Sequence, residues 1–449
     1  WAEQDPEIWW QHICVATKRA IREANIDASK IQGVGISYQM HGLVIVDDNG
    51  DSLRNAIIWC DSRAVEIGNK AFAELGQEKC MSHLLNSPGN FTASKLKWVK
   101  ENEPEIYSKI YKYMLPGDYI AYKLTNEITT TKNGLSEGML WDYKENKVAD
   151  WLLDYYGIDQ SLTPNIVENF TNQGVLSEKA SKESGLPVGI PVVYRAGDQP
   201  NNALSLNVLN PGEVAATGGT SGVFYAVTDA TIGNSTRVNN FVHVNFEEKN
   251  PRIGKLLNIN GAGIQYRWLR NNMGDETYES MNHKAAKIAI GSDGLVVIPF
   301  GNGAERMFNN KNIGTHFLNL NLNIHSNSHL FRAALEGIAF SFVYGMECLK
   351  DDNATIGVIR AGNDNLFRSE IFSNTVASLI GHEIEIYNTT GAVGAARAVG
   401  LTDGDFEKFG SNISKNDHVM TFLPLQNSEP YQEAYQKWKK ELELILTNK

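Results

Sequence analysis

Short apolar runs that end in a glycine-bearing turn and pass into a helix-patterned segment recur in both halves of this chain. The run at 32–37 opens into Tyr38-Gln39-Met40-His41-Gly42, and the run at 191–194 opens into Gly197-Asp198-Gln199-Pro200. The run at 356–360 enters Ala361-Gly362-Asn363-Asp364, and 383–387 precedes Gly391-Ala392-Val393-Gly394. Strand and helix alternating in this way specify an α/β fold. A chain of 449 residues exceeds one ordinary core and accommodates two large lobes. Gly/Pro/Asn-rich turns between 198 and 212 mark the boundary, giving domains at 1–199 and 200–449.

The remaining pattern fills in the lobes. Asp5-Pro6-Glu7 reads as a cap, a first-turn proline and an acidic first turn, so a helix is expected over 8–24. Segments 43–46 and 56–59 around Asp48-Asn49-Gly50 predict a hairpin. Residues 64–112 are mostly helical in pattern, with a break at Ser87-Pro88-Gly89. A strand–turn–strand is expected over 214–224, further strands at 255–259 and 294–299, and a long helix over 329–349. The final helix, 429–446, carries Tyr431, Tyr435, Trp438, Leu442 and Ile445 on one stripe.

Charge and cysteine content exclude several functions. With 41 Lys and Arg against 52 Asp and Glu, the net charge is −11, unsuited to coating nucleic acid. A single phosphorylated ligand is still compatible, because backbone amides hold phosphate without a cationic surface. The four cysteines form no CxxC, and Cys80 with His83 falls short of a zinc site, so neither zinc nor a disulfide framework is expected. A cytoplasmic location follows from that cysteine usage, and no apolar run is long enough for a membrane span. Residue 1 is Trp, and an element upstream of it is expected.

Walker-type GxxxxGK[ST], HExxH and GxSxG motifs are missing from the sequence, and Gly33-Val34-Gly35 and Gly261-Ala262-Gly263 are incomplete dinucleotide fingerprints. Chemistry therefore falls to the turns. Asp198, after a strand and before a helix, can take a proton from a hydroxyl, hold Mg²⁺, or simply cap its helix. Gly218-Gly219-Thr220-Ser221-Gly222 can bring backbone amides to an oxyanion, or can be a tight hairpin turn. Gln39, Met40 and His41 can line a pocket for a polyol, with Trp59, Asp61 and Arg63 completing it; these three can equally be a surface ion pair beside a core Trp. The turns at 361–363 and 391–394 suit either a nucleotide or close helix packing.

The order of these segments resembles the FGGY family of carbohydrate kinases, and within it the members that act on xylulose. The likeness is carried by residues 1–6, Gln39-Met40-His41-Gly42, 57–63, Lys95-Leu96-Lys97-Trp98, Leu115-Pro116-Gly117-Asp118-Tyr119, Gly197-Asp198-Gln199, Pro211-Gly212-Glu213, Gly219-Thr220-Ser221-Gly222, 333–337 and the final helix. It implies two ribonuclease H-like (actin-like ATPase) domains with a ligand cleft between them, the first binding sugar and the second nucleotide. It implies ATP and Mg²⁺, with Asp198 as catalytic base and metal contact, and Met40 and His41 at the sugar. Gly219, Thr220 and Ser221 match its second phosphate turn, and Gly362 and Asn363 its adenosine turn. The family's first phosphate turn, an Asp-x-Gly-Ser/Thr hairpin, is expected upstream of residue 1. Position 319 is Asn where the family has Gly, and 361–363 lacks the usual glycine run. The implied reaction is ATP-dependent phosphorylation of D-xylulose to D-xylulose 5-phosphate, and the assembly allows a homodimer. Met40-His41 favours xylulose, since glycerol-type members carry an Arg-Glu pair near that position. The rivals are kinases for ribulose, fuculose, gluconate or glycerol, and an actin-like nucleotide-binding protein without sugar chemistry.

Overall fold

The computed structural model describes residues 1–229 and 235–448. The chain forms two compact units. One comprises Trp1–Ser205, Asn240–Ile253 and Thr390–Ser411; the other comprises Leu206–Asn239, Gly254–Thr389 and Asn412–Lys449. The helix Asp198–Ser205 stays with the first unit, as does the helix Gly391–Ala398 far along the chain.

In the first unit, Val34–Tyr38 pairs in parallel with Val192–Gly197, with Gly197 opposite Tyr38. Parallel neighbours need a crossover, and the long stretch separating these strands supplies it as helices. Pro6–Ala24 begins at Asp5, whose carboxylate accepts the Glu7 N–H at 2.9 Å, and ends at Asn25 with φ 50°. Its Trp10 and Cys14 join Ile36, Tyr38, Val44, Leu115, Tyr119 and Val192 in the core. The Gly391–Ala398 helix lies so close to Val34–Tyr38 that a Cβ on Gly35 would stand 1.9 Å from the Ala395 carbonyl oxygen. Packing thus accounts for the 391–394 turn.

The hairpin expected over 43–59 does not form a ladder. Val44–Val46 pairs with Lys112–Met114 instead, and Ala56–Ile57 pairs with Glu3–Gln4. The two arms are joined by the isolated bridges Leu43↔Ile57 and Val46↔Ser52 and by the Leu53 N–H donating to the Ile45 carbonyl at 3.0 Å. Asp47 draws the turn inward, accepting the Asn49 and Asp51 N–H groups, and the tightened loop leaves both strands' outer edges for other partners.

In the second unit six strands run in the order Ile253–Ile259, Gly222–Thr228, Glu213–Gly218, Val358–Gly362, Ile384–Tyr387, His418–Phe422. Glu213–Gly218 is antiparallel to Gly222–Thr228 and parallel to Val358–Gly362. The helix Asn327–Asp351 is buried along most of its length, and Gly337 lets it approach the strand Val296–Phe300: a Cβ there would meet the Val297 carbonyl oxygen at 2.1 Å. The final helix, Glu429–Thr447, buries Tyr431, Tyr435, Trp438 and Leu442, and the Trp438 indole N–H donates to that same Val297 carbonyl at 2.9 Å. Among the described residues no helix is long and apolar enough to cross a membrane. His83 turns away from Cys80 to Asp142, and the four cysteines are free thiols.

Glu305 fastens the end of the Ile253–Ile259 strand. Its carboxylate is fully buried and accepts the N–H groups of Asn260 (3.0 Å) and Gly261 (2.8 Å). Burial pushes its pKa from 4.5 to about 7, although the two N–H groups pull the other way. The fold therefore favours the neutral acid. Stability from this group is complete below about 4.5 and is lost as pH rises through about 7, on the order of 3 kcal/mol in all. Melting curves at pH 5 and pH 8 should show a smaller loss of Tm on alkalinisation for Glu305→Gln than for the parent. An identical loss in both proteins would remove Glu305 as the cause.

Candidate active site

The register of the parallel pair gathers the first set of candidate residues. Because Gly197 lies opposite Tyr38, residues 39–41 and Asp198 leave the same, carboxyl-terminal end of adjacent strands. That is where ligands of parallel α/β sheets bind. A Cβ on Gly197 would stand 2.4 Å from Met40 Cγ and 2.4 Å from Glu137 Oε2, so only glycine allows the three to meet. His41 has φ 62°, and its Nδ1 lies 2.9 Å from the Glu137 carbonyl oxygen. Its ring packs edge-on against Phe91, centroids 4.7 Å apart, and also against Phe241 at 5.4 Å. Gln39 donates to Gln4 Oε1 at 3.3 Å.

Asp198 opens its helix, and its carboxylate reaches solvent although protein crowds it on most sides. That desolvation raises its pKa, against the pull of the Gln199 side chain, which donates at 3.3 Å. Below it, the buried Arg195 guanidinium lies 3.3 Å from Asp118 Oδ1 and donates to Thr129 Oγ1 at 2.6 Å. Asp118 also accepts the Leu115 N–H and the Thr130 hydroxyl, which ties the strand to the helix Pro116–Thr125.

Asp61 and Trp59 stand apart from this cluster. Asp61 is fully buried and bidentate to Arg63 (2.8 and 2.9 Å), and it accepts the Ala2 N–H as well. Burial opposes its ionisation, but Arg63 and these N–H groups outweigh burial and hold its carboxyl well below the usual range. Of the two readings of Asp61 with Arg63, the ion pair is made, in the interior rather than at the surface. Trp59 is exposed.

Two residues that sequence reasoning assigned no role belong to the site. Glu137 is buried, and neither its Oε1 nor the nearby Tyr38 hydroxyl closes a hydrogen bond of good geometry. Burial pushes its pKa well above the ordinary range, and the charges of Asp198 and Asp118 push the same way. Burial therefore holds the proton more firmly on Glu137 than on Asp198, which reaches solvent. Its signal in the sequence is an acid set among Leu135, Met139, Leu140 and Trp141. Lys95 is fully buried on the helix Thr92–Asn102, on the stripe of Thr92, Leu96 and Val99, and that spacing would have revealed it.

The second unit carries its own candidate. The Gly218–Gly222 turn joins two antiparallel strands, so the hairpin reading holds, and its peptides are also oriented. The Gly219 and Thr220 carbonyls accept the first two N–H groups of the helix Gly263–Asn272, at 3.1 and 3.0 Å. Planar trans peptides then aim the Thr220 and Ser221 N–H groups away from that helix. A cavity of about 780 Å³ lies here, lined by Gly218, Gly219, Thr220, Tyr266, Arg267, Tyr278, Asn365 and Arg368 among others. Neither arginine makes an ion pair among the described residues, and the Tyr266 and Tyr278 rings stack at 5.9 Å. Ser221, Gly362 and Asn363 are not part of its lining, which resumes at Asn365.

A Cβ on Gly263 would stand 2.3 Å from the Gly219 carbonyl oxygen, backbone that cannot swing aside. Gly263→Ala should cost about 1–3 kcal/mol, read as a lower Tm. Gly400→Ala, with nothing within 4 Å of the new methyl, is the control and should stay within about 0.5 kcal/mol. Equal melting of the two variants would refute the crowding at Gly263.

Two family models match the chain. The N-terminal domain of the FGGY family of carbohydrate kinases covers residues 1–205, and its C-terminal domain covers 214–401. The chain is 26% identical over 451 residues to the xylulose kinase of Staphylococcus xylosus, spanning 98% of this chain and 91% of that one. It is 28% identical over 438 residues to the xylulose kinase of Escherichia coli, spanning 95% and 86%. A crystal structure described as a xyloylose kinase from Brucella ovis superposes with a TM-score of 0.89 at 25% identity, covering 100% of this chain and 92% of that one. The two-domain actin-like ATPase fold and the carbohydrate kinase class are thereby both accounted for. The chain belongs to the FGGY family of carbohydrate kinases.

Proposed function

We propose that this kinase transfers the γ-phosphoryl group of ATP to D-xylulose, giving D-xylulose 5-phosphate, with Asp198 as the general base. One observation carries the reading: the Gly197–Tyr38 register, which gathers Met40, His41 and Asp198 at one strand end. The xylulose kinases among its relatives supply the acceptor.

Asp198 accepts the proton of the sugar's terminal hydroxyl as that oxygen attacks the γ-phosphorus. Desolvation makes it the stronger acceptor, and burial disfavours a second negative charge on Glu137. Met40 offers the sugar an apolar wall and His41 a ring nitrogen, with Gln39 at the edge. In the second unit the outward Thr220 and Ser221 amides fit phosphate oxygens, and Arg267 and Arg368, which make no ion pair among the described residues, add positive charge. About 780 Å³ is ample for a nucleotide. Gly362 and Asn363, just before Asn365, would support the adenosine side from behind. Magnesium would draw charge from the phosphates, and Asp198 keeps lone pairs on its open side for one such contact, enough for an ion that retains most of its waters.

Asp198→Asn should lower the transfer rate by about 10²–10⁴ with the Tm unchanged. The test is a coupled assay of ADP release with Mg-ATP against D-xylulose, L-xylulose, D-ribulose, gluconate and glycerol. A preference for another sugar would replace the acceptor, and activity of the variant within a few-fold of the parent would remove Asp198 as base. His41→Ala should weaken sugar use by roughly one to two decades and leave the ATP KM alone. Loss of ATP affinity instead would move His41 out of the sugar pocket.

A further inference from the structure

Lys95 is a costly residue for its place. It is fully buried, in the first turns of the helix Thr92–Asn102, where the helix dipole disfavours a cation. It makes no ion pair among the described residues, since the nearest carboxylate, Asp61, is taken by Arg63 and the Ala2 N–H. Burial accordingly lowers its pKa to about 8, against the pull of Asp61. What holds the ammonium is a pair of backbone carbonyls, His41 at 2.8 Å and Ile58 at 3.0 Å. A leucine or methionine would fill the same space without that cost.

The two carbonyls belong to different segments. His41 ends the Gln39–His41 stretch, and Ile58 begins the stretch carrying Trp59 and Asp61. The Leu43↔Ile57 bridge joins these segments at their base. Beyond that bridge the Lys95 ammonium grips the His41 carbonyl and the Ile58 carbonyl together. His41 also adopts φ 62°, a left-handed conformation disfavoured for a residue with a Cβ, and this turns its carbonyl to Lys95 while its ring meets Phe91 and the Glu137 carbonyl.

We propose that Lys95 is a positioning residue of the acceptor pocket, clamping the His41 and Ile58 carbonyls so that His41 holds its left-handed conformation and presents its ring to the sugar. The inference rests on the reading of residues 39–41 as sugar-contacting. Lys95 itself touches backbone only. Its influence runs through the His41 peptide, and its described hydrogen bonds reach neither the Asp198 turn nor the 218–222 turn.

The test compares Lys95→Met, His41→Ala and the double variant, using D-xylulose and Mg-ATP as probes. Methionine matches the lysine stem and removes the donors. Lys95→Met should raise the sugar KM tenfold or more and leave the ATP KM within twofold. The double variant should match His41→Ala within threefold, because the second change removes what the first has already misplaced. A lysine that merely stabilises the fold would lower the Tm and move neither KM. An unchanged sugar KM in Lys95→Met, or effects that multiply in the double variant, would overturn the clamp. If His41→Ala alone leaves the sugar KM unchanged, the acceptor reading fails and the clamp falls with it; if His41→Ala raises that KM and Lys95→Met does not, the clamp alone falls. Should Lys95→Met not fold, Lys95→Gln, which keeps an N–H donor at shorter reach, should give a smaller rise in the same sugar KM, and no rise would overturn the clamp equally.

Discussion

Everything in the first unit depends on one register, Gly197 opposite Tyr38 in a parallel pair. A slip of one residue would turn over the faces of the slipped strand, taking either Arg195 out of its pocket or the Ile36 side chain out of the core. Several contacts enforce it. Arg195 is anchored to Asp118 and Thr129, Gly35 admits the Ala395 carbonyl, and Gly197 admits Met40 and Glu137. The buried ion pair is weak evidence for stability, since desolvation costs both partners. Its value here is directional: an unpaired Arg195 in any other register would be far more costly than the pair is favourable. Specific register fixes where Asp198 emerges.

Burial then sorts the proton states around that point. Asp198 is partly solvated and Glu137 is not, so burial raises the pKa of Glu137 further and holds its proton the more firmly of the two. Burial lowers the Lys95 pKa to about 8 against the pull of Asp61, and its ammonium donates to two backbone carbonyls rather than to a carboxylate. The same logic recurs in the second unit, where Glu305 spends its lone pairs on the backbone that leads into the Gly263–Asn272 helix.

The sequence made the α/β class legible because the strand–turn–helix units are local, and caps such as Asp5-Pro6 are read within one turn of chain. The long helix and the final Tyr/Trp stripe were legible for the same reason: periodicity follows burial. Pairing was not. The Asn49-Gly50 turn signalled a hairpin, but residues far away, 112–114 and 3–4, supplied the partners, and local turn chemistry carries no information about such competition. Asp198 and residues 39–41 could be singled out as turn residues, whereas their nearness is a property of register. Glu137 and Lys95 were hidden because an acid or a lysine in a helical segment reads as solvated until the fold buries it. Unit membership was hidden too, since 240–253 and 390–411 return to the first unit only through long-range packing.

The Gly261-Ala262-Gly263 stretch shows how a failed motif can still be functional in form. As a dinucleotide fingerprint it is incomplete, and nothing in its spacing predicts a phosphate site. In the fold its last glycine is what lets the helix Gly263–Asn272 dock on the Gly219 and Thr220 carbonyls. Helix N–H groups that elsewhere would face an anion directly are used up on those carbonyls. The polarity is passed through two peptide planes, so that the donors emerge on the far side, from Thr220 and Ser221. Helix polarity and the hairpin turn thus act as one device. Glycine at 263 is required by the 2.3 Å approach, and Glu305 fixes the chain just before it, so the donor direction is set by packing that no motif of consecutive residues could encode.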